Sequence, residues 1–278
     1  MNWWQSIILG LVQGFTEFLP VSSSGHLVLF QTLFGLESES LVLFDLMLHL
    51  ATLVAVVTAM WPDVWPILRR PFQKLTLLLI VATLPLVALA LLGGSKIEEF
   101  FGGRYLGLGF MITATLLMIT TLFSTLTSRS SNYTDTHESN KLEHQTWLQT
   151  LVMGTMQAVG AFPGISRSGS TITGGLLSGV SRENAARFSF LMSIPAILGA
   201  FVFKLRDIID MGIPTAMGGT TWPVVLLGMV FAALSGFVAV KWMLKLIKNG
   251  KLWLFSLYLV ALGALVMVLQ ITGRLFLR

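Results

Sequence analysis

Residues 13–26 read QGFTEFLPVSSSGH, and residues 157–170 read QAVGAFPGISRSGS. The second stretch begins 144 positions after the first, at 157 against 13, and further matches recur at the same offset. These matches pair Gly10 with Gly154, Phe18 with Phe162, Gly35 with Gly179, Glu39 with Glu183 and Phe44 with Phe188. Chance rarely places so many identities at one offset, so the chain is expected to contain two copies of one structural unit.

Each of the two stretches interrupts an apolar segment that is too short to cross a bilayer. Residues 3–18 are followed by Pro20 and the serines, and residues 147–162 are followed by Pro163-Gly164, which are helix-breaking sequences. We therefore predict two re-entrant hairpins. Irregular backbone is tolerated at membrane depth only where protein surrounds it or where it lines a wet cavity. Repeated broken helices of this kind typically meet near the bilayer midplane and form a substrate site there.

The composition is that of an integral membrane protein, with 54% hydrophobic residues, 11% charged residues and a mean hydropathy of +0.80. Six further segments are long enough to cross about 30 Å of hydrocarbon as helices. These segments are Leu41 to Met60, Leu75 to Leu92, Leu106 to Phe123, Phe188 to Phe203, Val224 to Val240 and Leu252 to Leu269. The predicted fold is therefore an all-α integral membrane protein of two inverted-topology repeats, each with a re-entrant helical hairpin and about three transmembrane helices.

The polar interval over 125–146 separates the copies, so we expect repeat one over 1–124 and repeat two over 147–278, within a single membrane domain. Three crossings per repeat is an odd number, which requires the second repeat to be inverted. In this arrangement Arg69, Arg182 and Lys245 lie on one side of the membrane and Lys204 lies on the other. The first side carries more basic residues than the second. The positive-inside tendency makes the first side cytoplasmic and places both termini outside.

Several classes of function are excluded or disfavoured by the same composition. The chain has no cysteine, which excludes disulfides, thiolate catalysis and thiolate metal ligation. Its net charge of +5 comes from residues at the ends of apolar segments instead of one basic face, so no nucleic acid is expected as a partner. The first residues lack the basic region of a signal peptide, and we expect none to be removed.

Ionisable residues inside apolar segments are costly and are therefore functional candidates. Glu17 and His26 flank the first break, and Asp45 and His49 follow in the next apolar segment. Asp45 and His49 are spaced i, i+4 and could pair on one helix face. We interpret this pair as support for the site, although a purely structural pair in the bundle core fits the spacing equally well.

Arg167 lies in the second break, between Ser166 and Ser168. A guanidinium offers five donors in a planar fork that suits phosphate oxygens, and neighbouring hydroxyls and glycine-flanked amides can add more. The stretch is typical of a phosphate cradle. Alternatively, Arg167 pairs with Glu17 as a strut between the repeats, which would also bring the two motifs together.

Ser22, Ser23 and Ser24 precede Gly25-His26 in the first break. One of the three hydroxyls could attack phosphorus while a nearby base accepts its proton. Alternatively, Ser22 or Ser24 only caps the helix that starts near His26. Phosphoryl transfer needs a nucleophile, a proton acceptor and neutralisation of charge on the phosphoryl oxygens, and the two stretches supply all three.

Residues 13–26 together with 163–169 resemble the undecaprenyl-diphosphate phosphatase family, BacA/UppP, and the resemblance extends through 44–46, 187–191 and Pro195. It implies hydrolysis of undecaprenyl diphosphate to undecaprenyl phosphate and inorganic phosphate. This reaction recycles the lipid carrier for peptidoglycan and other envelope glycans and affects bacitracin resistance. The resemblance also implies a bacterial inner-membrane protein whose site opens to the periplasm.

The resemblance further implies roles for individual residues. Ser23 would be the nucleophile, with His26 as an alternative nucleophile or as an acid/base, and Glu17 would act as base or help to hold a divalent cation. The implied substrate ligands are Arg167, Ser166, Ser168, Thr171 and Gln13. Many members of the family carry Glu at position 13, and Gln13 cannot be a base, although it could donate to phosphate or offer a carbonyl to a metal. Oxygen ligands suit both Mg²⁺ and Ca²⁺, so the metal stays open.

The expected partner is a polyprenyl diphosphate lipid, and a homodimer is compatible with the sequence. The lipid tail needs a membrane-facing groove, which we expect near Phe15, Phe18, Phe162 and Met192. Two other functions fit part of the sequence. A polyprenyl-phosphate transporter or flippase fits inverted repeats but needs no nucleophile. A phosphatase of the acid-phosphatase type needs a histidine downstream of its Ser-Arg motif, and no histidine follows His144.

Overall fold

The computed structural model describes residues 1–36, 41–101, 105–130 and 142–273, and these residues form helices and turns without a β-strand. The helices are α1 (Trp3–Phe18), α2 (Ser23–Leu33), α3 (Val42–Ala59), α4 (Trp61–Arg69), α5 (Lys74–Phe101), α6 (Leu106–Ser130), α7 (Trp147–Val159), α8 (Arg167–Leu177), α9 (Arg182–Met211), α10 (Ile213–Ala216), α11 (Trp222–Lys248) and α12 (Leu252–Ile271). A short 3₁₀ helix, Leu142–His144, precedes α7.

Six of the described helices are long and apolar enough to cross a membrane, namely α3, α5, α6, α9, α11 and α12. Five of them contain a segment predicted from the sequence, and α3 is one residue shorter at each end than its predicted segment, which confirms an all-α integral membrane protein. The short amphipathic helix α4 was not predicted. It begins with Trp61-Pro62, and proline at the start of a helix costs no backbone hydrogen bond.

The two predicted hairpins are α1–α2 and α7–α8. Their second helices begin in the same way, because Ser22 accepts a hydrogen bond from the Gly25 amide at 3.3 Å and Ser166 accepts one from the Gly169 amide at 3.0 Å. Such caps satisfy a backbone donor that has no partner within the helix. Ser22 therefore caps α2, which is one of the alternatives that the sequence left open for the serine cluster.

Each hairpin packs its first helix against a spanning helix from the other half of the chain. Helix α1 packs on α11 and α7 packs on α5. Both contacts depend on glycine: a Cβ atom at Gly10 would lie 2.3 Å from the Gly228 carbonyl oxygen, and one at Gly154 would lie 2.4 Å from the Ala82 carbonyl oxygen. Gly10 and Gly154 are the equivalent positions in the duplicated sequence, so the same close helix contact occurs twice.

The remaining contacts interleave the two halves further. Helix α11 also packs on α3, α5 packs on α9, and α6 packs on α12. Helix α6 continues to Ser130, past residue 125 where the polar linker was predicted to start, and half of that predicted linker, 131–141, lies outside the described residues. The limits of the repeats and their inverted relation stay predictions.

Candidate active site

The turns of the two hairpins touch each other inside the protein. The Ser168 hydroxyl, in the first turn of α8, donates to the Leu19 carbonyl at 3.0 Å, and Gly169 lies against Pro20. At the same place the Arg167 Nη2 atom donates to Glu17 Oε1 at 2.7 Å. The structure therefore brings together the two stretches that the sequence analysis singled out.

Glu17, near the end of α1, is the centre of this cluster. Its Oε2 atom accepts from Ser23 Oγ at 2.6 Å and from Gln13 Nε2 at 3.0 Å, while Oε1 accepts from Arg167. The Nε2 atom of His49 lies 3.7 Å from Oε2. The side chain of Glu17 is 5% exposed, and a buried carboxylate with so many donors is both neutralised and fixed in position.

The charge of Glu17 follows from these contacts. Burial raises the pKa of its carboxyl, but the Arg167 and His49 charges and the hydrogen bonds from Ser23 and Arg167 outweigh burial and hold that pKa below its ordinary value. Because of this lowered pKa, Glu17, which lies in α1 and outside the six spanning helices, is ionised at neutral pH. Its carboxylate accepts the hydrogen bond from the Ser23 hydroxyl.

Ser23 is the first residue of α2, and the residue before it adopts an unusual backbone conformation. Ser22 has φ = +70° and ψ = +96°, and it is the only non-glycine residue with positive φ in the described part of the chain. Such a conformation costs about 1–3 kcal/mol and persists only where the surroundings enforce it, most often at functional sites. The next residue, Ser23, is the one that donates to Glu17.

Arg167 is the first residue of α8 and its side chain is 18% exposed. The pair with Glu17 shows that the strut weighed as an alternative is present. It uses one donor of the guanidinium, and no other partner of this group is found among the described residues. Since the N-termini of α2 and α8 also carry partial positive charge, the cluster is suited to an anion with several oxygens.

His26 follows Ser23 by three residues in α2 and has partners other than the Glu17 cluster. Its Nδ1 atom is 2.8 Å from the Ser22 carbonyl oxygen, and its Nε2 atom is 2.7 Å from Tyr258 Oη on α12. Burial lowers the pKa of His26, so the ring is neutral at neutral pH. Because a carbonyl can only accept, Nδ1 carries the proton and Nε2 accepts from Tyr258. No described contact joins His26 to Ser23 or Glu17.

Residues 6–265 match the family described as bacitracin resistance protein BacA. The chain is 42% identical to an undecaprenyl-diphosphatase of Carboxydothermus hydrogenoformans, over 99% of this chain and 100% of that protein. It is 37% identical to an undecaprenyl-diphosphatase of Halothermothrix orenii, over 97% of this chain and 98% of that protein. It is 34% identical to one of Methanosphaera stadtmanae, over 96% of this chain and 97% of that protein. The protein belongs to the BacA family.

In this BacA family member the three predicted hydroxyl ligands are tied to the protein. Ser166 caps α8 and Ser168 bonds Leu19, as described above. The Thr171 hydroxyl donates to backbone carbonyls within α8 and lies 2.5 Å from Ser189 Oγ on α9. All three are buried, so their described contacts hold the hairpin in place. Their contact with phosphate stays a prediction.

The residues that could hold a cation are Glu17 and Gln13. Gln13 is fully buried, and its Oε1 atom has no hydrogen-bond partner among the described residues, while its Nε2 atom is bonded to Glu17. No group of three His, Asp or Glu side chains suited to a metal occurs in the part of the chain that the structure describes. Two oxygen donors fit Mg²⁺, which is commonly held by one or two protein oxygens together with substrate phosphates. The cation itself stays a prediction.

Asp45 and His49 do not pair through their side chains as the sequence suggested. His49 Nδ1 bonds the Asp45 backbone carbonyl at 2.8 Å, which turns Nε2 toward Glu17. The Asp45 carboxylate instead accepts from Gln31 Nε2 at 2.7 Å. Sequence reasoning missed Gln31 and Tyr258. The signal for Tyr258 was a hydroxyl in a strongly apolar helix, and such tyrosines are common in membrane proteins.

Proposed function

We propose that this BacA family protein hydrolyses undecaprenyl diphosphate to undecaprenyl phosphate and inorganic phosphate. The observation that carries the proposal is the Ser23–Glu17–Arg167 cluster, in which a hydroxyl, a carboxylate and a guanidinium meet within hydrogen-bonding distance at the contact of two hairpins. The names of the relatives, which match over nearly the whole chain, support the same reaction.

The mechanism assigns one role to each member of the cluster. Ser23 Oγ attacks the terminal phosphorus while its proton passes to Glu17, and the bond from that phosphorus to the bridging oxygen breaks, so undecaprenyl phosphate leaves. Water then attacks the phosphoserine, which releases inorganic phosphate and restores the hydroxyl. Arg167 and the N-terminal amides of α2 and α8 stabilise the charge on the phosphoryl oxygens in both steps.

A divalent cation, Mg²⁺ or Ca²⁺, belongs to the proposal as a cofactor held by Glu17, Gln13 Oε1 and substrate oxygens. When bound it would supply further neutralisation of phosphoryl charge. His26, which the resemblance gave as an alternative nucleophile, has both ring nitrogens engaged by Ser22 and Tyr258. This favours Ser23 as the nucleophile and leaves His26 the role of supporting the turn.

We further propose that the protein lies in the bacterial inner membrane with this cluster open to the periplasm. Support comes from His49, whose side chain is 32% exposed and lies in the first half of α3. That half of α3 packs on the first half of α11, where Gly228 lies against Phe44. The lysines lie at the other end of α11, and the positive-inside tendency makes that end cytoplasmic.

Phosphate release from undecaprenyl diphosphate by the purified protein in detergent tests the function, with and without Mg²⁺ or Ca²⁺. Ser23→Ala should reduce the rate by about a thousandfold or more, because the nucleophile is lost. Ser24→Ala is the matched control, since Ser24 is the exposed neighbour in the same turn, and it should stay close to the unmodified rate.

If the folded, unmodified protein releases no phosphate under any cation condition, the phosphatase proposal fails. Transport of lipid phosphate in vesicles would then test the carrier. A nucleophile bonded to a base favours the phosphatase over the carrier, because translocation needs only complementary charge.

A further inference from the structure

Helices α11 and α12 follow one another in the chain but pack on different partners. Helix α11 lies against α1 and α3, whereas α12 lies against α6. A cavity of about 340 Å³ opens between α11, α12 and the turn of the first hairpin. It is lined by Thr16, Leu19, Val21, His26, Trp242, Leu246, Leu254, Phe255 and Tyr258. We refer to it as the α11–α12 cleft.

The cleft leads from the outer surface of the helix bundle to the turn that carries the serines. Its outer side chains are exposed, with Trp242 at 47%, Leu254 at 42% and Tyr258 at 46%. Its inner side chains, Leu19 and Val21, are buried. Since exposed apolar surfaces of spanning helices face lipid, the outer end of the cleft opens sideways into the membrane.

The chemistry of the lining selects a hydrocarbon. Six of the described residues that line the cleft are apolar: four are leucine or valine, one is tryptophan and one is phenylalanine. None of the described lining residues is Lys, Arg, Asp or Glu. Polar atoms come from Thr16 and from the His26–Tyr258 pair, which are hydrogen-bonded within the protein. An anionic headgroup therefore finds no partner here, while an apolar chain loses no polar contact on entering.

The position of the cleft connects it to the reaction. Ser23 and His26 are three residues apart on α2, so they are neighbours on one helix, with Ser23 toward Glu17 and His26 at the inner end of the cleft. A volume of 340 Å³ is at the lower end of the range for small-ligand pockets. It suits a short length of chain, and the rest of a long tail would stay in the bilayer.

We propose that the α11–α12 cleft binds the isoprene units nearest the diphosphate of the lipid substrate, an inference that rests on the proposed function. The tail enters between Trp242 and Leu254, and its first units lie against Leu19 and Val21. This differs from the groove expected from the sequence. Phe18 and Met192, which were predicted to line it, are fully buried in the core, and neither Phe15 nor Phe162 lines the cleft.

Photolabelling tests the site without turnover. A farnesyl diphosphate analogue with a diazirine in its prenyl chain is irradiated with the whole protein in detergent, and the labelled peptides are mapped by mass spectrometry. Labels on residues 242–246 and 254–258, reduced by excess unmodified farnesyl diphosphate, are expected. Labels that are confined to other helices, or that competitor does not reduce, would overturn the proposal.

A pair of variants on one helix provides the kinetic test. Leu254→Trp fills the cleft, so the KM for farnesyl diphosphate should rise by about tenfold, with a much smaller change in kcat. Leu257→Trp is the control, because Leu257 is 59% exposed and does not line the cleft. Thermal unfolding checks that both variants fold. Equal KM values for the two variants would contradict the cleft, whereas no phosphate release by the unmodified protein would contradict the proposed function instead.

Discussion

Glu17 and Arg167 form an ion pair whose geometry matters more than its charge. A planar guanidinium can keep its bond to Glu17 through one nitrogen and offer other donors to phosphate, whereas the ammonium of lysine has no such fork. The site thus depends on a residue that reaches two anionic partners at once.

Arg167→Lys should therefore lower kcat/KM for undecaprenyl diphosphate by about tenfold to a hundredfold, the range expected for a lost charge-assisted hydrogen bond. Steady-state phosphate release measures the effect. Arg187→Lys is the control, since Arg187 pairs with Asp63 away from the cluster through two guanidinium nitrogens, and it should leave the rate nearly unchanged. Similar losses in both variants would mean that Arg167 acts through stability alone.

His49 affects the same carboxylate from the other side. The Coulombic attraction of a protonated His49 helps to lower the pKa of Glu17, so His49→Gln should raise that pKa. Since Glu17 must be ionised to accept the Ser23 proton, the acidic limb of the kcat/KM profile should move to higher pH. His144→Gln, in the 3₁₀ helix, is the control. An acidic limb at the same pH in all three proteins would show that His49 does not tune Glu17.

At the scale of helices, the contact between α1 and α11 holds the first hairpin in place. A Cβ atom at Gly10 would meet the backbone of Gly228, which cannot move aside as a flexible side chain can. Gly10→Ala should therefore lower the free energy of unfolding by about 1–3 kcal/mol, as overpacking does in other cores.

Thermal unfolding in detergent measures this loss. Gly199→Ala is a matched control within α9, because nothing lies within 4 Å of the position that its Cβ atom would take. That variant should be as stable as the unmodified protein or slightly more stable, since alanine favours helix. Equal stability of the two variants would show that α1 and α11 can separate without cost.

The helices were largely predictable because the length of an apolar segment and the helix-breaking residues at its end are local features of the sequence. The first hairpin helix was predicted over 3–18 and is found at Trp3–Phe18. The cluster around Glu17 was predicted as a set of residues, but the partners from other helices were not. The contact of His26 with Tyr258 joins residues 232 positions apart, and only the packing of α12 determines it.

At the scale of the whole molecule, the predicted duplication accounts for the likeness of the two hairpins, and the proposed chemistry accounts for their differences. Both second helices have a serine cap at the equivalent position. The first hairpin adds Ser23, the proposed nucleophile, and the Glu17 carboxylate, and the second adds the Arg167 guanidinium at the position that corresponds to Ser23. Neither half of the chain contains the whole Ser23–Glu17–Arg167 cluster.

The contact of α1 with α11 also has a consequence for biosynthesis. The Ser6 hydroxyl of α1 bonds the Val224 carbonyl of α11, 218 residues later in the chain. The ribosome therefore delivers the first hairpin long before its packing partner emerges. Glu17 lacks Arg167 until 150 further residues have been made, and even then α1 still waits for α11, so a helix that is made early is among the last to be seated.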